Sequence, residues 1–377
     1  MIETPGFLFT LVAFVAAIGP LVFVHELGHY LVGRWCGVKA EVFSIGFGHE
    51  LAAWTDRRGT RWRIGAFPLG GYVRFKGDMN AASQTDPAWL QLPATERAES
   101  FPAKPLWQRA LIVAAGPAIN FLFAIAILSA FAFVHGESRT PAVVGAVLPG
   151  SAAQAAGIQP GDRVIAIGGR AMTSYNDMVM YTSIRPGQPV TVELDRRGQR
   201  ISVDATIAAV MADDGFGKKY TVGRLGIGAS ERVIEPVPLW RAPLVGVQRT
   251  GEIVRTMVET LGQIVTGRRS VKELGGPLKI AEVSGQAATL GVESFVFFVA
   301  LVSINLGFIN LLPIPMLDGG HLLFYGIEAV QRRPVSPRAQ EWAFRSGLAV
   351  LMTMMVLVTF NDLSSFGLWK SLSGLIG

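Results

Sequence analysis

The chain has 377 residues, 50% hydrophobic and only 16% charged, where an ordinary soluble domain is about one-quarter charged. A mean hydropathy of +0.39 argues against a wholly soluble globular protein, and glycine and proline without a repeating triplet exclude disorder and collagen-like structure. A single cysteine, Cys36, excludes an intrachain disulfide and a cysteine-only zinc site, and the net charge of +6 has to be judged by where the charges fall.

Four segments, at about 7–32, 110–134, 294–312 and 343–361, are apolar and long enough to cross a bilayer, which takes about 20 helical residues. The first does not read as a cleaved signal, because residues 1–6 hold no Lys or Arg and the apolar run is too long. Arg34, Lys39, Arg97, Lys104 and Arg109 lie between the first two spans, and Arg332, Arg333 and Arg338 between the last two. The opposite side carries few basic residues close to the spans: Arg139, Lys279 and Lys370. The positive-inside rule therefore puts 34–109 and 313–342 in the cytoplasm. Both termini, including the 362–377 tail, and the 135–293 region fall outside. The positive charge is thus a topology signal. Nucleic-acid binding would want a basic stripe with interleaved aromatics, and none is seen.

The first span, residues 1–33, contains His25-Glu26-Leu27-Gly28-His29. Histidines four apart share one helix face, so both imidazoles can reach one zinc ion. The intervening Glu26 can take a proton from water activated by that metal. A packed polar cluster is the plainer reading. It is disfavoured because an unpaired carboxylate inside a span costs at least about 2.5–3.5 kcal/mol.

In the 34–109 region, 41–75 alternates like β-structure, and Asp56-Arg57-Arg58-Gly59 reads as the turn of a hairpin. A free strand edge there could hold an extended peptide by main-chain hydrogen bonds. Residues 80–105 read as a mobile connection. The second span carries Gly116, Pro117 and Asn120, which suit small-residue packing and a kink.

Residues 140–230 resemble a PDZ domain of the bacterial protease type, through Gly150–Ala153 and the run Ala156–Gly169. Strands near 190–195 and 200–205 flank a Gly turn. Such a groove takes a peptide by strand addition, and Gly226, Ile227 and Gly228 are the candidates for capturing a terminal carboxylate. A unit that fills space and binds nothing is the alternative. At 239–267 an amphipathic helix is expected to lie on the membrane surface.

After the third span comes NLLPIPMLDGGH, Asn310 to His321. Asp318 stands where two prolines and two glycines are expected to forbid regular helix. Irregular backbone at membrane depth is tolerated where it lines a cavity. Spans one and three both run inward, so Asp318 can meet His25 and His29 as the third zinc ligand that a catalytic site needs. His321 is the alternative ligand, and a capping Asp in a turn is the alternative role.

Together these motifs resemble the site-2 protease family, in the regulator-of-sigma-E protease branch. The likeness extends to GFG at Gly46–Gly48, FPLGGYV at Phe67–Val73, GPxxN at Gly116–Asn120, GGP at Gly275–Pro277 and FND at Phe360–Asp362. It implies a polytopic α-helical membrane protein with four transmembrane helices, a membrane-dipping β-hairpin region and an extracytoplasmic PDZ-like β/α domain. Some members carry two tandem PDZ domains, and this chain has room for one. It implies intramembrane proteolysis with Zn2+ held by His25, His29 and Asp318, Glu26 as base, and Asn310 assisting near the scissile bond. Asn120 would face the catalytic cavity, with Gly116 beside it as a further auxiliary position. It implies a bacterial inner membrane, single-span substrates such as anti-sigma factors or remnant signal peptides, and an upstream site-1-type protease. The PDZ-like domain is then expected to exclude substrates with bulky outer domains. A membrane-anchored quality-control protease and a non-catalytic PDZ adaptor are the competing functions.

Overall fold

The structure, a computed structural model, describes residues 5–78, 87–213, 219–231, 233–266 and 275–365. It divides into two compact units, Met1–Ala130 with Pro243–Gly377, and Phe131–Ala242.

Elements are numbered in chain order. In the first unit these are α1 (Phe7–Trp35), β1 (Ala40–Thr55), β2 (Arg61–Phe75), α2 (Ala94–Ala98) and α3 (Leu106–His135). After the second unit come α6 (Ala242–Val265), α7 (Pro277–Thr289), α8 (Val292–Leu311), α9 (Asp318–Gln331) and α10 (Pro337–Ser365). Among the described residues four helices are long and apolar enough to cross a membrane: α1, α3, α8 and most of α10. They meet through small side chains. Ala17 and Leu21 of α1 pack on Val299 of α8, and Ala124 and Leu128 of α3 pack on Ala300 and Ile304. A Cβ on Gly28 would stand 2.5 Å from the Ala115 carbonyl oxygen, so α1 and α3 approach as closely as a glycine allows.

The β1–β2 pair is more than a hairpin. The turn at Asp56–Thr60 forms as the sequence suggests: Asp56 Oδ1 accepts from the Arg58 and Thr60 amides at 2.8 and 3.0 Å, and Gly59 has φ +82°. Residues 42–45, however, lie opposite both 61–64 and 71–74, because the long strands bend at Gly46, Gly48 and Gly70, all with positive φ. The sheet packs through Phe43, Val73 and Phe75 against Tyr30 of α1 and Ile112 of α3.

Two expectations need correction, and one helix is new. The 80–105 stretch is not a loose connection where it is described. Phe101 is buried and stacks on Phe75 at 5.7 Å, and Lys76 pairs with Glu96 at 2.7 Å; 79–86 lie outside the described residues. Between the third and fourth spans the sequence suggested only a loop and link, but α9 occupies 14 residues. Arg109 of α3 bonds Glu328 of α9 at 2.8 Å and lies over the Tyr325 ring, which fastens α9 beside the start of α3. Finally, α7 was not foreseen. Its start is capped by the buried Asp362 carboxylate, which accepts from the Gly276 and Lys279 amides at 3.1–3.2 Å. The GGP and FND motifs are thus two halves of one helix cap. Within the tail expected at 362–377, residues 366–377 lie outside the described residues, as does residue 267 at the end of the amphipathic segment.

In the second unit, β3 (Glu137–Arg139) pairs with β12 (Val233–Glu235), and β4 (Val144–Val147) with β11 (Ile227–Ala229). A four-stranded sheet runs β6 (Arg170–Ala171), β5 (Arg163–Ile167), β7 (Pro189–Arg196), β8 (Gln199–Thr206). The hairpin β9 (Ala208–Asp213) and β10 (Lys219–Arg224) and the helices α4 (Ala152–Ala155) and α5 (Tyr175–Ser183) complete it. Positive φ at Arg197 and Gly198 makes the β7–β8 link a mirror-image two-residue turn. Ile167, Val192, Leu194, Met178 and Ile207 form the core. The Asp162 carboxylate accepts from Arg196 Nε and a terminal guanidinium nitrogen at 2.8 and 2.7 Å, which holds it below the usual carboxylate range.

Candidate active site

Helical spacing puts His25 and His29 one turn apart on α1, and their Nε2 atoms lie 3.3 Å from each other. The third group arrives from α8 through an irregular turn. Pro313 and Pro315 end the helix, and Met316 takes φ +86°, a conformation L side chains rarely adopt. The glycines expected to forbid a helix instead permit one: α9 begins at Asp318 itself. A Cβ on Gly319 would strike the Leu311 and Leu312 carbonyls, and one on Gly320 the Ile314 carbonyl. This close approach aims Asp318 at the histidines. Its Oδ2 stands 3.2 Å from His25 Nε2 and 3.6 Å from His29 Nε2.

These separations test whether a metal fits. A tetrahedral zinc with bonds of about 2.0–2.1 Å needs ligand atoms about 3.3–3.4 Å apart. The observed edges are 3.2, 3.3 and 3.6 Å. Asp318 Oδ2 is buried with no hydrogen-bond donor, and such an orphan is costly unless something cationic meets it. Among the described residues His25, His29 and Asp318 form a group of side chains able to hold a metal ion. They fit zinc.

The group borders a cavity of about 180 Å3, also lined by Glu26, Gly71 and Asn310. Glu26 is buried, and a Cβ on Gly71 would stand 3.0 Å from its Cγ, so the β2 backbone passes directly beside the carboxylate. Asn310 Nδ2 donates to the Leu306 carbonyl at 3.0 Å. His321 lines the same cavity, but its ring lies against Phe344, at 5.3 Å, and it is outside the three-residue group.

Asn120 and Gly116 are not in the cavity wall; they stand behind the histidines. Asn120 is fully buried, with Nδ2 3.0 Å from His25 Nδ1, while His29 Nδ1 lies 2.8 Å from the Ile112 carbonyl oxygen. A Cβ on Gly116 would fall onto the His29 ring and come within 2.9 Å of His25 Cε1. Gly116→Ala is therefore expected to weaken zinc binding about 10–100-fold, the usual cost of disturbing a ligand's support. Alanine is the better helix former by about 0.8–1.0 kcal/mol. A loss measured by chelator competition would thus report the collision, and unchanged affinity would show that the rings can move aside.

The carboxylate-loop candidates belong to the second unit. Gly226 has φ +79°, and a Cβ there would strike Ser151. Ile227 and Gly228 are in β11, paired with β4, and the Ile227 carbonyl accepts from the Tyr175 hydroxyl at 2.8 Å.

Sequence reading could not find the Ile112 carbonyl, since a main-chain atom leaves no mark in residue type. The glycines at 28 and 71 were visible, but their purpose shows only in what a Cβ would hit.

The family model described as Peptidase family M50 matches residues 13–354. The chain belongs to peptidase family M50. It is a zinc metalloprotease of this site-2 protease family, and a polytopic membrane protein. "Putative zinc metalloprotease Atu1380" of Agrobacterium fabrum is 44% identical over 361 residues, covering 94% of this chain and 96% of that protein. "Metalloprotease MmpA" of Caulobacter vibrioides is 36% identical and covers 98% of this chain and 99% of its own. Among solved structures, the PDZ domain of an SdrC-like protein from Listeria monocytogenes is similar at 20% identity and a TM-score of 0.20, covering 24% of this chain and 87% of that one.

Proposed function

We propose that this M50 peptidase cuts single-span membrane proteins within their transmembrane segments, with zinc held by His25, His29 and Asp318 and with Glu26 as the base. The observation that carries this is the position of the site along an apolar helix. His25 lies ten residues before the end of α1 at Trp35, about 15 Å along the helix axis, within an apolar helix long enough to cross a hydrocarbon core about 30 Å thick.

Zinc in such a site polarises a peptide carbonyl and acidifies water. Glu26 takes the proton of the attacking water and delivers it to the leaving amine. Asn310, in the same cavity wall, is placed to hydrogen-bond the scissile segment. A helix hides its amides in internal bonds, so substrate must be unwound before it is cut. The 71–75 segment of β2, beside Glu26, supports a reading in which the unwound strand adds to this edge by main-chain hydrogen bonds.

The distribution of basic residues supports an inner-membrane orientation with the site toward the cytoplasm and with the termini and the PDZ-like unit in the periplasm. The substrates are anti-sigma-factor-like proteins already shortened by another protease, and remnant signal peptides are a second group.

The test is purified protein in liposomes with a panel of single-span substrates, with and without a chelator. Chelator-sensitive cuts mapped by mass spectrometry inside the apolar segment are expected. Cuts confined to soluble segments would overturn the intramembrane reading in favour of a quality-control protease.

A further inference from the structure

We infer that Asn120 is a positioning residue that sets the tautomer of His25, presenting its amide oxygen, not its nitrogen, to the ring. The inference rests on His25 being a zinc ligand, as proposed above.

A neutral imidazole carries one proton, and the nitrogen that binds a metal must be the one without it. His29 meets this condition through the backbone. Its Nδ1 lies 2.8 Å from the Ile112 carbonyl oxygen, which can only accept, so Nδ1 bears the hydrogen and Nε2 keeps its lone pair. The Nε2 of His25 converges on the same point, 3.3 Å from His29 Nε2 and 3.2 Å from Asp318 Oδ2. It needs the same arrangement, and α3 must supply an acceptor for its Nδ1.

Asn120 is the group at that position. With Nδ2 facing His25 Nδ1 at 3.0 Å, the amide would donate. That forces the hydrogen onto Nε2, where it blocks the metal. The same orientation leaves Oδ1 buried with no hydrogen-bond partner. Turning the amide by 180° hardly changes its shape, because its oxygen and nitrogen are nearly equal in size. It lets Oδ1 accept from Nδ1–H and frees Nε2. The rotation frees Nε2 for the metal and gives Oδ1 a donor, with the amide nitrogen taking the place Oδ1 held.

The setting holds this contact in place. Asn120 is fully buried, and its backbone carbonyl accepts from Ser303 Oγ of α8 at 2.8 Å. Ile112 and Asn120 are eight residues apart on α3, as the acceptors for two histidines one turn apart on the facing helix. Support of this kind orients the ring and raises its basicity toward the metal.

The test compares wild type with Asn120→Leu, Asn120→Asp and His25→Ala, all as full-length protein in detergent, for zinc affinity by chelator competition. Asn120→Leu keeps the bulk but loses the acceptor, and about a 10–100-fold weaker affinity is expected. A carboxylate accepts but cannot donate, so Asn120→Asp is expected to stay near or above wild type. An aspartate as poor as the leucine, or a leucine as good as wild type, would overturn the inference. If His25→Ala keeps full affinity, the failure lies in the zinc reading instead. A second readout needs no metal: nitrogen shifts of the His25 ring in zinc-free protein. The Nδ1–H form is expected for wild type and Asn120→Asp and is expected to be lost in Asn120→Leu, and an Nε2–H form in wild type would count against the inference.

Discussion

Glu26→Gln is expected to lower turnover by about 10²–10⁴-fold, the range for losing a general acid–base group, while the zinc content does not change. Glutamine keeps the volume of the side chain, so the close fit of Glu26 against Gly71 survives. It cannot take a proton. Because Glu26 is not among the side chains grouped to hold a metal, nothing about the zinc should change. The pair of measurements matters more than either alone. Lost activity with lost zinc would show a damaged site, and near-normal cleavage with full zinc would remove Glu26 from the mechanism.

Asp318→Ala should behave differently, lowering metal content and rate together. Two of the three ligand-atom edges, 3.2 and 3.6 Å, end on Asp318 Oδ2. Without it the histidines remain as a pair, and a zinc affinity more than about 100-fold weaker is expected, beyond the loss usual for a merely supporting residue. Metal analysis decides it. Full occupancy in Asp318→Ala would move the third ligand to His321, which lines the same cavity.

The parts of this architecture written in local pattern were legible. Four apolar runs became four long helices. HELGH fixed the helical phase of two imidazoles, and Asp56-Arg57-Arg58-Gly59 carried the chemistry of its own turn. Other features depend on partners far along the chain. Helix α7 is moderately polar and opens on a glycine pair, so its start looks like a loop until Asp362 supplies the cap from the far end of the sequence. The sequence brings Asp318 near His25 and His29 through shared topology, and the structure sets it 3.2 and 3.6 Å from their Nε2 atoms by a different local route. The glycines after it predict a broken helix, whereas in the structure they let α9 start against the carbonyls of the preceding turn. Asn120 shows a third kind of gap. Its residue type hinted at a polar role, but only its position behind the ring, not in the cavity, gives that role a direction.

The short ladder of β3 and β12 bears on how such a protease exchanges the unit inserted between α3 and α6. Ser138 lies opposite Ile234, so the chain leaving α3 runs beside the chain that returns to α6, and Glu137 reaches Arg241 across the same join. The described residues between Thr140 and Glu231 belong to the loop that this two-stranded neck closes. Adjacent strands are about 4.8 Å apart, a gap that a turn of a few residues can close. The membrane helices therefore receive the same two chain ends whatever lies between them. An insert can be lost, doubled or exchanged at the neck without altering the register of any helix that carries a zinc ligand. A different length of chain can be stitched between two strands that are already paired, and the unit that carries His25, His29 and Asp318 stays as it is.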